Sequence, residues 1–257
     1  MPSRLATFVL GTTAAAALLA APIAPVMAEN ATPLDKAAVE KIVHDYIAAN
    51  PEIVAEALQA LEKKQADAQA AEQKALIKRS GGLLFDSARQ VVLGNPKGDV
   101  TLVEFFDYNC GYCKRALPDM LSLLDKDPNL RIVLKEFPVL GPGSTEAAKV
   151  AVAVNRVAPE KYLAFHKALL GARGQVDKAK ALDAVASVGI PASAVEKAMV
   201  DHEVDATIEE VYGLAGALGL SGTPSYVIGE EVVPGAIGLS KLQSRIAEAR
   251  CTTTKKC

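Results

Sequence analysis

The sequence predicts an α/β fold preceded by a helical extension, and three observations carry that prediction. Residues 101–137 read as strand, helix, strand, with a Cys-x-x-Cys where the first strand gives way to the helix. Residues 141–220 are almost wholly helical in pattern before strand character returns at 225–228 and 231–234. Residues 35–80 show helical periodicity and no strand character.

Taken in order, residues 1–28 carry Arg4, an uninterrupted small and apolar run from Leu5 to Val26, and the small-residue cleavage pattern Val26-Met27-Ala28. That is the pattern of a secretory signal peptide. A membrane anchor fits less well, because the run is rich in Ala and broken by Pro22 and Pro25, whereas a spanning helix wants about 20 strongly apolar residues. The expectation is a periplasmic protein whose mature chain starts near Glu29 and keeps 257 − 28 = 229 residues, enough for one medium domain with an appendage. A net charge of −2 gives no electrostatic case for nucleic acid.

In the extension, residues 29–82, Asp35 is a plausible N-cap, and Val39, Ile42, Val43, Tyr46 and Ile47 repeat at helical spacing. Asn50-Pro51 ends that helix and starts a second, which carries Ile53, Val54, Leu58 and Leu61 on one face. Beyond Leu61 the chain becomes mostly Glu, Lys, Gln and Ala up to Ser80-Gly81-Gly82, with almost no apolar stripe. A helix polar all round must bridge solvent, pair with another chain or fray, so residues 35–80 are a candidate homo-oligomerisation arm or a helix packed on its own domain. Gly81-Gly82 is read as the boundary to the main domain, residues 83–250, and 251–257 as a flexible tail.

Within that domain, 90–93 and 101–106 read as strands around the turn-rich stretch 94–99, 113–124 as a helix containing Pro118, and 131–137 as a third strand. A strand, helix, strand unit implies a parallel pair. Helices follow near 145–156, 160–171, 178–188, 193–201 and 204–218; a tight Gly229-Glu230 turn joins the last two strands, and a final helix covers about 240–249.

Only four cysteines occur: Cys110 and Cys113 in Cys-Gly-Tyr-Cys, and Cys251 and Cys257 in the tail. A nucleophilic thiol must be a thiolate, and a strand-to-helix junction aims free backbone N–H groups and the positive end of the helix dipole at the first sulfur. Cys110 is therefore the candidate nucleophile, and Cys113, one turn deeper, the thiol that resolves a mixed disulfide. A structural zinc site would need four ligands. The remaining candidates are the scattered His44, His166 and His202 and the tail cysteines, so no metal is assigned. For Cys251 and Cys257 a local disulfide is favoured over free thiols or an auxiliary redox or copper-binding pair.

The segment Val103-Glu104-Phe105-Phe106-Asp107-Tyr108-Asn109-Cys110-Gly111-Tyr112-Cys113 resembles the active-site segment of DsbA-type proteins, and Gly222-Thr223-Pro224-Ser225 resembles their cis-proline loop. The resemblance covers about 85–249. It implies a thioredoxin fold with an inserted helical subdomain, near 141–220, and thiol-disulfide oxidoreductase activity with no cofactor. It implies further that Glu104 is a buried acid assisting proton transfer at the deeper thiol, although a salt-bridged or edge-strand carboxylate is the alternative. It makes Pro224 a cis-proline against the disulfide, with Thr223 binding substrate backbone, and Pro118 the kink of the active-site helix. Gly111-Tyr112 departs from the Pro-His of strongly oxidising relatives and supplies no cation, for which Lys114 and Arg115 are candidates to compensate. The helical extension is similar to the arms of suppressor-of-copper-sensitivity type relatives. Exported proteins with thiols or disulfides, and a membrane redox partner, are the implied partners. The rival reading is a copper-handling or chaperone-like binding protein that uses the same cysteines.

Overall fold

Asp35 caps helix α1, Lys36–Ala49, by accepting the Ala38 N–H at 2.7 Å. The computed structural model describes residues 35–254, with side chains to residue 252; the leader and Cys257 lie outside them. Helix α2, Glu52–Arg79, follows after Asn50 and Pro51. It runs through the division between two compact units at Ala57 and Leu58. In the first unit no α1 side chain is buried, and Val39, Ile42, Val43, Tyr46, Ile47, Ile53 and Val54 are all exposed.

The second unit is built on a mixed five-stranded sheet, ordered β1-β3-β2-β4-β5. Its strands are β1 Val91–Gly94, β2 Val100–Phe106, β3 Leu130–Glu136, β4 Ser225–Ile228 and β5 Glu231–Pro234. β2 and β3 pair in parallel through the crossover helix α4, Gly111–Lys126, while the other neighbours are antiparallel. Strand alternation sorts β2 cleanly. Leu102 and Phe106 face the larger core with the two cysteines, and Val103 and Phe105 face the other side.

Between β3 and β4 lies the helical block: α5 Pro142–Val157, α6 Tyr162–Leu170, α7 Lys178–Ser187, α8 Ala192–Met199 and α9 His202–Ala217. Pro142 occupies the first turn of α5, a position where its missing N–H costs nothing. The alanines and valines of α5 are buried through most of its length. α10, Leu239–Thr254, closes the order and places Leu242 and Ile246 in the larger core. It continues through Cys251, which is disulfide-bonded.

The stretch around Gly81-Gly82 is helical rather than a plain linker, because α3, Gly81–Phe85, starts there and buries Leu84 completely. The polar end of α2 is docked as well. Ile77 is buried with Leu84, Val103 and Phe105 in the second core. Gln73 donates its side-chain N–H to the Leu218 carbonyl at 2.9 Å, and Lys74 and Lys78 bracket Glu230 at 2.6 and 3.0 Å. Such exposed ion pairs contribute little, so the docking rests on the buried Ile77 and on Leu76, which packs partly buried against the same core. Ile77→Ala is expected to destabilise the protein by about 2–5 kcal/mol, whereas Gln65→Ala, on the solvated face, leaves it unchanged. Denaturant midpoints of the two variants test this.

Candidate active site

Cys110 is the N-cap of α4, with an extended backbone that turns the chain from loop to helix. Its N–H is held by the Asp107 carbonyl and its own carbonyl accepts the Lys114 N–H, both at 3.0 Å. Cys113 sits one turn into the helix. It is 1% exposed against 6% for Cys110, and both are free thiols. The sequence pattern predicts a helix from Cys113; the helix begins at Gly111, so Cys110 is its N-cap residue, with no hydrogen bond from its sulfur to the first turn.

The cis-proline loop comes to the same place. The Thr223-Pro224 peptide is cis, and the Cys110 Sγ–H donates to the Thr223 carbonyl at 3.0 Å. Pro118 lies inside α4. Glu104 is buried, paired across the sheet with Tyr226 and Leu134, on the same β2 face as Leu102 and Phe106. Burial pushes its carboxyl up to about 8, so it is neutral at pH 7. Burial also raises the Cys113 thiol well above the ordinary range, although a hydrogen bond at the Asp107 backbone offsets part of that rise. Glu104 is a central-sheet carboxyl, not one at an edge.

Lys114 and Arg115, the candidates to compensate for the missing cation at the thiol, both have other partners. The Lys114 Nζ turns away to donate to the Ala172 carbonyl at 2.9 Å, and burial lowers its pKa. Arg115 instead stacks its guanidinium over the exposed Tyr112 ring, 4.3 Å from the centroid.

Asp107 and Asn109, to which the sequence pattern assigns no role, hold the loop together. The Asp107 carboxylate accepts from the N–H groups of Asn109 at 2.7 Å, Val139 at 2.9 Å and Leu140 at 3.0 Å, and from the Ser144 hydroxyl at 2.7 Å. Asn109 bonds Val176 through both N–H and carbonyl, and donates to Ser144. Gly143 lets α5 approach this point, since a Cβ there would stand 2.7 Å from the Val176 carbonyl oxygen. The usable signal was an acid placed directly after an apolar strand, where a buried carboxylate must find several donors.

Behind the loop lies a buried polar cluster. Tyr162 donates to Glu136 at 2.7 Å, and Tyr108 lies 3.2 Å from both Glu136 and His166. Burial raises the Glu136 carboxyl well above its ordinary range against the two tyrosine hydrogen bonds, and pushes the His166 ring down to about 3, so the imidazole is neutral. His44 and His202 are exposed beside acidic neighbours. Among the described residues no three His, Cys, Asp or Glu side chains gather as a metal-binding group.

A parallel β2-α4-β3 unit with paired thiols at the helix start and a cis-proline loop facing them defines a dithiol protein of the thioredoxin class. The chain belongs to the DSBA-like thioredoxin family, a family of thiol-disulfide oxidoreductases: the DSBA-like thioredoxin domain matches residues 101–247. The copper resistance protein ScsC N-terminal domain matches residues 35–68.

Many solved structures are similar to the chain, three of them as follows. A thioredoxin-like oxidoreductase from Silicibacter pomeroyi DSS-3 is 44% identical with a TM-score of 0.63, covering 66% of this chain and 96% of that one. A linker-deletion mutant of Proteus mirabilis ScsC is 27% identical with a TM-score of 0.67, covering 86% and 99%. The thiol-disulfide exchange protein α-DsbA2 from Wolbachia pipientis is 31% identical with a TM-score of 0.66, covering 70% and 97%. The chain spans 28% of the length of the curated relatives it matches, Na(+)/H(+) antiporters of Salinispora arenicola and Salinispora tropica, at 25% and 24% identity over 183 residues.

A buried acid raised from 4.5 to about 8 has a definite effect on stability. The unfolded chain gives up this proton first, so the folded state loses stability as pH rises from about 4.5 to about 8, by up to about 1.4 kcal/mol per pH unit. Glu104→Gln is expected to remove that component. Its stability relative to the native protein should therefore grow from pH 5 to pH 8, measured by urea unfolding at each pH.

Proposed function

We propose that this chain is an exported, periplasmic enzyme that forms or isomerises disulfides in other exported proteins. The observation that carries the reading is Cys110 capping α4 with its sulfur on the Thr223 carbonyl and Cys113 one turn below. The Cys110 thiolate attacks one sulfur of a client disulfide and the other client sulfur leaves as a thiolate. Cys113, losing its proton, then attacks the Cys110 sulfur of the mixed disulfide and expels the second client thiolate. The client is reduced and the enzyme oxidised; the reverse sequence oxidises a client dithiol, and a membrane redox partner resets the pair.

In its ionised form, the minority at pH 7 for a carboxyl raised to about 8, Glu104 takes the Cys113 proton in this scheme, so the step depends on the fraction of Glu104 that has lost its own proton. Thr223 and Pro224 present backbone to the client. The leader pattern of residues 1–28 supports export.

Cys110→Ser is expected to abolish exchange on a reduced or scrambled protein substrate. Cys113→Ser should accumulate a mixed disulfide that dithiothreitol releases, and Glu104→Gln should slow the resolving step by about 10–100-fold. Stopped-flow rates and mass spectrometry of trapped adducts measure all three. The match of residues 35–68 to a copper-resistance domain favours a second reading, capture of soft Cu(I) by the thiols. It predicts one Cu(I) retained per chain and no Cys110-dependent turnover.

The exposed apolar residues of 35–61 make self-association through the extension part of the proposal. Each large side chain buried between copies contributes about 1.5–3 kcal/mol before entropic costs. Full-length protein should be oligomeric at micromolar concentration by light scattering, and the Val39→Asp, Ile42→Asp double variant monomeric. A monomeric native chain removes this part.

A further inference from the structure

A cavity of about 560 Å³ lies beside the cysteine pair, and one of its walls is a stripe of α2. Ala66, Gln69, Ala70 and Gln73 form that wall at the three- and four-residue spacing that puts side chains on one helix face. Tyr112, Thr223 and Pro224 line it on the active-site side, and the Cys110 sulfur sits on the Thr223 carbonyl, so the cavity adjoins the exchange site. Leu220, Val232 and Pro234 add apolar lining. No residue that lines the cavity carries a charge.

The wall is fixed in place. Gln73 is tied to the Leu218 carbonyl, Ile77 is buried one turn further on, and Lys74 and Lys78 hold Glu230. Its small residues, Ala66 and Ala70, leave the space open. A charged side chain entering here would lose water and meet no counter-charge, whereas an apolar one loses nothing it needs.

We infer that α2 is a specificity wall of the exchange site: the cavity takes an extended client segment and selects an uncharged, apolar side chain next to the reacting cysteine. The inference rests on the exchange reading above and adds to it which clients are taken and that the N-terminal extension helps choose them. The Tyr112 and Thr223-Pro224 lining argues for the client itself as the occupant, since a chain whose cysteine reaches the Cys110 sulfur on the Thr223 carbonyl brings its neighbouring residues beside this cavity.

The test uses two synthetic peptides, each bearing one cysteine as a mixed disulfide with glutathione, flanked by Leu in one and by Asp in the other. The full-length native protein should favour the Leu peptide by about tenfold or more in kcat/KM, the range that burial of one such side chain gives. Ala70→Trp, and Ala66→Trp one turn earlier, fill the cavity from exposed helix positions that tolerate a large side chain. Both should bring the Leu-to-Asp ratio toward unity, while Gln65→Trp, on the same helix but off the cavity, keeps the native ratio. Equal rates for the two peptides with the native protein, or a native ratio in both alanine variants, overturn the inference. If the native protein exchanges neither peptide, it is the exchange reading that fails, and the inference falls with it.

Discussion

Four hydrogen bonds to one carboxylate set the geometry on which the rest of this site depends. Asp107 stands where β2 ends, and by collecting the N–H groups of Asn109, Val139 and Leu140 and the hydroxyl of Ser144 it joins its own loop to the stretch from Val139 to Ser144, 32 to 37 residues on. The loop that delivers Cys110 to the start of α4 is thereby fixed to the loop after β3 and to the first turn of α5. Asn109 repeats the connection through Val176. The helical block is therefore part of the positioning of the thiol as well as an insertion into the sheet.

The two thiols sit in contrasting surroundings because of that geometry. A residue at a helix cap is next to unpaired N–H groups and near the surface, while a residue one turn in is surrounded by core. Cys113 shares its core with Phe106, Met120 and Leu134, and its proton is hard to remove for that reason. Glu104 meets the same apolar surroundings from the sheet side and is held neutral by them. Burial thus acts in one direction on both groups and brings a reluctant acid and a weak base into the same layer.

Much of this was legible in the sequence, and the parts that were not have physical reasons. Strands β2 and β3 are runs of branched and aromatic residues whose ends moved by one position, and α5 to α9 are punctuated by Gly, Pro and Asp as their boundaries require. Cys110, Cys113 and the Thr223-Pro224 loop come together as the motifs suggested. The end of α2 was illegible because its docking uses the adjacent Leu76 and Ile77, one Gln amide and two Lys, which leave no apolar stripe at helical spacing. The direction of Lys114 was equally hidden, since its carbonyl partner at Ala172 lies 58 residues away. Hydrogen bonds to distant backbone carbonyls leave no trace in local periodicity.

Tyr112 has a consequence of another kind. The chain contains no Trp and six Tyr, so its ultraviolet emission comes from phenol rings alone, with no indole to drain their excitation. Tyr108, Tyr162 and Tyr226 are buried, whereas Tyr112 is 60% exposed and lies between the two cysteines of the pair. A disulfide is a strong local quencher of an excited phenol and a pair of thiols a weak one. The dipeptide that sets this site apart from Pro-His relatives thus builds in a label-free optical gauge: the oxidised and reduced forms differ in brightness, and that signal follows electron flow through the pair in real time.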